Sequence, residues 1–232
     1  MPLPNDPSHS WGGSLGLVHM KHIALTVILA ASVPSLFATA ELELISGATT
    51  VNILDGSGLD SYPTAGVVTY IGAVGGWDIN VTTGLEGDLP FFDLVSVDST
   101  KSQTGPLLIF FSDDGLKLPE GFILNVGGTA SSTGSQTVGF GAWTGNGKFD
   151  ISNPIGTGLT FNTTAFSGST HGWVAPGDDS VTIGAFIDLG NGNAGTASFD
   201  AALDSVPEPA SISLLGGVLL VLGTLARRGR KA

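Results

Sequence analysis

The alternating pattern of a β-strand is clearest in residues 76–84, which read Gly-Trp-Asp-Ile-Asn-Val-Thr-Thr-Gly. Apolar Trp77, Ile79 and Val81 alternate with polar residues, and in a strand such a pattern places successive side chains on opposite faces. One face is then buried and the other is in water. We therefore predict that this segment is a half-buried strand and that Trp77 is a core residue.

Similar runs follow along the chain. Residues 121–127 and 181–185 also alternate, and residues 107–111, Leu-Leu-Ile-Phe-Phe, are apolar on both faces, as expected of a central strand covered on both sides. The other candidate strands are residues 42–45, 50–54, 66–73, 91–97, 137–143, 159–162 and 196–201. Turns rich in Gly, Ser, Asn and Asp separate these runs, and no convincing amphipathic helix is present. Short strands at spacings of about 8–12 residues predict an all-β domain, a β-sandwich or jelly roll, over residues 41–205.

The charge of this domain restricts its partners. Between residues 41 and 206 there are eighteen Asp and Glu, three Lys and no Arg, which gives a formal charge of −15. Such a domain repels phosphate backbones and lacks the basic surface of nucleic-acid-binding proteins, so we expect no nucleic-acid partner. Cations and neutral polar surfaces such as glycans suit it better. The chain has no cysteine, which excludes disulfides and thiolate sites.

The N-terminal segment has the pattern of an export signal. Residues 1–19 look like a leader, or like a start site assigned too early, and Met20 is a second plausible start. Residues 20–40 join a positive start to a short apolar run and end with small residues at Ala38 and Ala40, where a signal peptidase would cleave. The pattern predicts a signal peptide, use of the secretion translocon and a mature chain that begins at Glu41.

The C-terminal segment, residues 206–232, has three parts. It begins with Val206-Pro207-Glu208-Pro209, whose prolines interrupt regular structure. Residues 212–226 carry no charge and as a helix would span roughly 22 Å. The segment ends with the basic residues Arg227, Arg228, Arg230 and Lys231. A basic end after an apolar helix predicts a transmembrane helix at 212–226 with a cytoplasmic C-terminus.

This order resembles the PEP-CTERM sorting signal of exported proteins in Gram-negative, polysaccharide-producing bacteria. Pro207-Glu208-Pro209 matches the tripeptide that names the family, and the basic end matches as well. The resemblance implies recognition by an exosortase-type membrane protease. It also implies a transient stay in the inner membrane before sorting to the cell surface or extracellular matrix. The strand pattern of residues 76–113 is similar to ectodomains that accompany this signal, and it brings no activity with it.

The sequence offers little support for an enzyme. His171 is the only histidine after the signal peptide, and no Gly-x-Ser-x-Gly motif marks a nucleophile beside it. We predict His171 to be a surface residue of a Gly/Ser/Thr-rich loop. Acid pairs such as Asp113-Asp114 and Asp178-Asp179 are flanked by glycine, which indicates turns more than a glycosidase couple. We expect no catalytic residue, and a glycoside hydrolase remains the third hypothesis.

Two kinds of binding site remain open. Residues 188–193, and the pair Asp113-Asp114, carry oxygen ligands that calcium could use, although the spacing of an EF-hand is missing. Solvated turns are the simpler interpretation, so we predict no cofactor and no metal site, with calcium as an alternative. Trp173, in a loop-like segment, is the best candidate for an exposed glycan contact. Trp143 ends a predicted strand and suits either role.

We therefore predict an exported protein with a structural or adhesion role in a polysaccharide matrix. The alternative is a polysaccharide-binding module, with or without the help of calcium.

Overall fold

The computed structural model describes residues 40–62, 64–85, 92–101, 105–190 and 194–206, and also residues 214, 216–220 and 222, with the backbone alone at 85 and 95–98. The predicted leader, nearly all of the predicted signal peptide and most of the tail lie outside these residues.

The described part of the domain is built from strands that alternate apolar and polar side chains. Thirteen strands are formed by these residues: β1 Glu41–Ser46, β2 Thr49–Leu54, β3 Thr69–Val74, β4 Trp77–Leu85, β5 Phe92–Lys101, β6 Leu107–Asp113, β7 Gly121–Ser132, β8 Thr137–Gly145, β9 Asn153–Pro154, β10 Leu159–Phe161, β11 Ala165–Trp173, β12 Ser180–Asp188 and β13 Gly195–Ser205.

The strands form two antiparallel sheets. Sheet 1 has the order β10-β8-β12-β6-β1-β2, with β9 beside β8, and sheet 2 has the order β11-β7-β13-β5-β4-β3. From β5 to β8 and from β11 to β13 the chain passes from one sheet to the other with each strand. Two facing sheets of this kind confirm the predicted all-β sandwich.

The core lies between the sheets, where the inward residues of both meet. Trp77 is 1% exposed, which confirms it as a core residue, and its Nε1 donates to the carbonyl of Gly105 at 3.3 Å. Ring contacts tie the sheets together. Phe92 of sheet 2 meets Phe111 of sheet 1 with centroids 5.2 Å apart, and Phe140 meets Phe199 edge-on at 4.9 Å.

The predicted central strand is confirmed in its position. β6 lies between β12 and β1, and its inward residues Leu107, Ile109 and Phe111 are fully buried. Its outward residues Leu108 and Phe110 are only half-buried. The outward face of β6 is therefore not fully covered, although the sequence predicted a strand covered on both faces.

The segment around His171 was predicted to be a loop, and this prediction is wrong. It belongs to β11, which pairs with β7 along its whole length from Ala165 to Trp173. β11 is at an edge of sheet 2 and buries one large apolar side chain, Phe166. Main-chain hydrogen bonds to β7 hold this strand in the sheet. Its sequence is rich in Gly, Ser and Thr and shows no alternation of apolar and polar residues, so the pattern did not predict a strand.

Beyond Val206, the described residues of the tail are 214, 216–220 and 222; they are helical, and their large apolar side chains are exposed. Among the described residues, no helix combines the length and the apolar content needed to cross a membrane. The predicted span 212–226 lies mostly outside them.

Candidate functional site

The outward face of sheet 1 contains a groove with a volume of about 330 Å³. Strands β6, β8 and β12 contribute to it the residues Leu108, Phe110, Gly141, Trp143, Gly184 and Phe186, and the segment from Pro154 to Thr160, around β9 and β10, also lines it. Concave sites with apolar and aromatic lining are typical of small-molecule and glycan sites in proteins.

Two glycines form the floor of the groove and leave room for two rings. Gly141 and Gly184 are register partners, and Gly184 is also the partner of Phe110 on β6. A Cβ atom on Gly184 would lie 2.8 Å from ring atoms of Phe110 and 3.0 Å from Cζ3 of Trp143. On Gly141 it would lie 2.5 Å from Cη2 of Trp143. The two rings therefore rest directly on the glycine backbone, with centroids 6.4 Å apart.

The loop between β8 and β9 covers one end of this face. The amide of Phe149 donates to Oγ of Ser112 at 2.9 Å, and the amide of Gly147 donates to Oγ of Ser180 at 3.1 Å. Phe149 has φ of 57°, the left-handed region that a non-glycine residue seldom adopts. The loop buries Ser112 completely and leaves the other end of the face open.

Asp150 holds this loop in shape. Its carboxylate accepts hydrogen bonds from the amides of Asn146 and Ser152 and from the hydroxyl of Ser152. These bonds to the ionised form lower the pKa of Asp150 below its ordinary value.

Carboxylates lie beside the aromatic part of the sheet. Glu43 on β1 is the register partner of Phe110, and Glu41 is the partner of Ser112. Lys148 of the covering loop pairs with Glu41 at 3.6 Å. Partial burial, and then the charge of Glu41, raise the pKa of Glu43 above its ordinary value. No described residue forms a hydrogen bond or an ion pair with Glu43.

Asp113 is the buried acid at the end of β6. It is fully buried; Oδ1 accepts from the amide of Asp114, while Oδ2 has no hydrogen-bond donor among the described residues. Burial raises the pKa of Asp113 to about 6, with smaller opposing effects from the amide of Asp114 and the charge of Lys148. The negative charges of Asp114 and Asp55 add to the rise.

Trp173 is exposed, as predicted, with 63% of its surface in solvent. It lies on the edge strand β11 of sheet 2, against Gly121, whereas Trp143 lies in the groove on the outward face of sheet 1. The structure thus does not bring the two tryptophans together. A glycan contact at Trp173 stays a prediction.

The two candidate acid pairs lie at one end of sheet 1, where Asp113 is the register partner of Val181 and the carbonyl of Asp179 accepts from the amide of Leu116, whereas His171 belongs to sheet 2. His171 is exposed on β11, and no described serine hydroxyl or carboxylate bonds to its ring. Asp178 accepts from Oγ1 of Thr144 at 2.5 Å and from Nδ2 of Asn153 at 3.0 Å, so it ties a loop to β8 and β9.

The predicted calcium loop at 188–193 is described only as far as Gly190. Oδ1 of Asp188 accepts from the amide of Gly190 at 2.9 Å, as in an ordinary Asx turn. The carbonyl of Gly190 accepts from Nζ of Lys101, which is 1% exposed. An ammonium group thus already contacts this loop. The described residues contain no group of three or more His, Asp or Glu that could hold a metal ion.

The predicted sorting and cleavage residues are described at two positions. Ala40 is fully buried, and its carbonyl accepts from the amide of Asp55 at 2.9 Å. Val206 is half-buried, and its amide donates to the carbonyl of Gly121. The predicted residues outside the described part are Ala38, Pro207, Glu208, Pro209, Arg227, Arg228, Arg230 and Lys231.

The groove residues were not recognised as a site from the sequence. A usable signal exists in the sequence: Phe110 is outward in a run that is apolar on both faces, and Gly139, Gly141 and Trp143 share one face of β8. The pairing of β8 with β12 then places Gly184 next to Gly141. That partnership is visible only in the folded chain.

Comparisons with known proteins give no family. No protein-family model and no curated protein matches the chain. Among solved structures, it is similar to the enzymatically active domain of tailspike protein 4 of bacteriophage CBA120, with 16% identity, a TM-score of 0.31 and coverage of 56% of this chain and 19% of that chain. It is also similar to TmCBM61 in complex with β-1,4-galactotriose, at 8% identity, a TM-score of 0.33 and coverage of 56% and 88%. A CBM4 structure has 14% identity, a TM-score of 0.31 and coverage of 61% and 84%. The chain thus spans about a fifth of the tailspike's length, and with TM-scores this low none of these similarities carries an argument about function.

Proposed function

We propose that the domain binds polysaccharide in the groove on sheet 1. The observation that carries the proposal is the pair of rings, Phe110 and Trp143, which rest on a glycine floor with Glu43 on the next strand, β1. A sugar ring has an apolar face that packs on an aromatic ring and hydroxyl groups that donate to carboxylates. The groove supplies the aromatic partner, and Glu43 on the neighbouring strand β1 supplies a carboxylate just outside the groove lining.

The charge of the domain supports a neutral or cationic glycan over an anionic one. Of its three lysines, Lys101 is buried and Lys148 pairs with Glu41. The remaining one, Lys117, is outside the groove lining. No described guanidinium or unpaired ammonium therefore faces the groove to bind a uronate or sulfate.

Retention of the exported protein on purified matrix polysaccharide tests the proposal. Trp143→Ala removes the ring from the groove, and we expect at least about tenfold weaker retention, because a buried aromatic contact contributes about 1.5–3 kcal/mol. Tyr62→Ala is the control, since it removes an aromatic side chain from an exposed position outside the groove lining. Equal losses from both variants, or no loss from Trp143→Ala, would contradict the assignment to the groove.

The same assay examines the calcium alternative. Retention that survives a chelator supports binding by the groove alone, and retention lost in the chelator supports a calcium-assisted module. Because Asp113-Asp114 is a candidate ligand pair, Asp114→Asn should repeat the effect of the chelator only in the second case.

A glycoside hydrolase would release products from a panel of glycans, and we expect none to appear.

The proposed place of action is the cell surface or extracellular matrix. It is supported by the predicted signal peptide and by the PEP-CTERM-like tail, in which Pro207 and Glu208 follow directly after the last described residue of the domain. There, a glycan-binding sandwich fulfils a structural or adhesion role by attaching itself to the matrix.

A further inference from the structure

The charges around the groove point to a more specific ligand class. A single row of register partners crosses sheet 1: Gly141, Gly184, Phe110, Glu43 and Asn52. Five strands at about 4.8 Å spacing give this row a length of roughly 19 Å. It runs from the glycine floor, over an aromatic ring, to a carboxylate and then an amide.

Glu43 is the distinctive member of this row. Residues that face each other in antiparallel strands have Cβ atoms about 4.5–5.5 Å apart, so Glu43 lies on the strand next to Phe110, at the border of the groove lining and outside it. It is half-buried and has no hydrogen-bond or ion-pair partner among the described residues. Its neighbour on the same face, Glu41, pairs with Lys148, which leaves Glu43 as the carboxylate of this row that is available to a ligand.

We infer that the groove selects glycans that carry free amino groups, such as glucosamine polymers, over acetylated or acidic ones. The inference rests on the proposed function. The aromatic rings pack on the sugar face, and Glu43 accepts a charge-assisted hydrogen bond from the ammonium group of the same or the adjacent sugar. An N-acetyl group has no charge to offer, and the carboxylate of Glu43 repels a uronate.

The test compares short oligomers, so that the overall charge of −15 does not dominate the result. Affinities of the exported protein are measured by calorimetry for a β-1,4-glucosamine tetramer, its N-acetylated counterpart and a uronic acid tetramer, at mildly acidic pH and physiological salt. A charge-assisted hydrogen bond predicts that the amine form binds about tenfold or more tightly than the acetylated form, with the uronate weakest.

Two variants that remove one negative charge each separate a local effect from a global one. Glu43→Gln should bring the affinities for amine and acetylated tetramers to within about twofold of each other. Glu120→Gln removes the same charge from an exposed position between β6 and β7 and should keep the preference. The inference is overturned if wild-type protein binds both tetramers equally, or if the preference survives Glu43→Gln.

Failure of the proposed function is distinguishable from failure of this inference. If the acetylated tetramer binds as well as the amine form and Trp143→Ala abolishes both, the groove binds glycans without selecting amines. If neither tetramer binds and Trp143→Ala behaves as the wild type does, both the inference and the glycan-binding function are wrong.

Discussion

At the residue scale, the groove depends on the missing side chain of Gly184. A Cβ atom there would lie 2.8 Å from Cδ1 and Cε1 of Phe110 and 3.0 Å from Cζ3 of Trp143, so both rings would have to move. We expect Gly184→Ala to weaken glycan retention severalfold and to lower stability by about 1 kcal/mol, because overpacking displaces the rings.

Gly139→Ala is the control for this variant. It lies in the same groove, but its Cβ would be 3.7 Å from its nearest neighbours, an ordinary contact. Retention and the thermal midpoint should remain near the wild-type values. If both variants weaken retention equally, the position of the rings does not govern binding.

A second prediction at this scale concerns the buried carboxylate of Asp113. At neutral pH it is ionised, and the neighbouring groups do not fully offset the cost of burying its charge. Its folded pKa of about 6 lies above its unfolded value, so the folded state takes up a proton more readily. The stability contributed by this group therefore rises as pH falls from about 6 towards 4. At higher pH, Asp113→Asn should stabilise the fold by about 1–3 kcal/mol.

Denaturant unfolding across this pH range measures the effect. The difference between wild type and Asp113→Asn should shrink as pH falls, because the wild-type carboxyl becomes neutral. Asp114→Asn removes the same charge from a half-buried neighbour and should show a smaller difference. A variant that is less stable than wild type at pH 8 would mean that Lys148 compensates the buried charge fully.

At the element scale, the pairing of β7 with β13 requires a close approach of the two backbones. A Cβ on Gly128 would lie 2.4 Å from the carbonyl oxygen of Ser198 and 2.6 Å from Cβ of Phe199. A backbone atom cannot yield as a side-chain tip can. We expect Gly128→Ala to destabilise the fold by at least about 1–3 kcal/mol in denaturant unfolding.

The adjacent glycine provides the comparison. A Cβ on Gly127 would approach nothing closer than 3.9 Å, at the carbonyl of Phe166. Gly127→Ala should leave stability within about 0.5 kcal/mol of wild type. Equal destabilisation by both variants would contradict the assignment of the effect to contact with β13.

The strands differ in how well the sequence predicted them. β4 and β12 place their alternating apolar residues against the opposite sheet, so their position was predicted correctly, although the outward residues Ser180 and Thr182 of β12 are also buried. β11 gains its place from main-chain bonds to β7 and buries little, which is why His171 and Trp173 were predicted to lie in a loop. β6 is apolar on both faces for two reasons: Ile109 faces the core, and Phe110 lines the groove.

At the scale of the whole molecule, the two outward faces have different chemistry. Sheet 1 presents the aromatic groove, whereas the outward face of sheet 2 carries polar and acidic residues such as Asp78, Asp200 and Asn125. The apolar groove on one face suits a bound ligand, and the acidic face keeps the rest of the surface hydrated.

The prediction at this scale concerns where the exported chain is cleaved. Mass spectrometry of both termini, in envelope and medium fractions, should find a chain that starts at Glu41 and ends near Pro209. A chain that still ends at Ala232 in the membrane fraction would mean that the tail is a permanent anchor. Replacing Arg227, Arg228, Arg230 and Lys231 by glutamine tests the basic end, and we expect loss of C-terminal processing.

The sequence by itself determined the fold class, because alternation over short strands leaves a sandwich as the way to bury one face of each. It also determined the charge of −15 on residues 41–206, and it predicts a sorting signal in the tail. The tertiary structure decided where ligand chemistry gathers. Phe110, Trp143 and Gly184 come from three strands that are distant in the chain, and only the pairing of β8, β12 and β6 brings them into one groove. Local patterns record whether a side chain faces in or out, while strand order determines which outward side chains become neighbours.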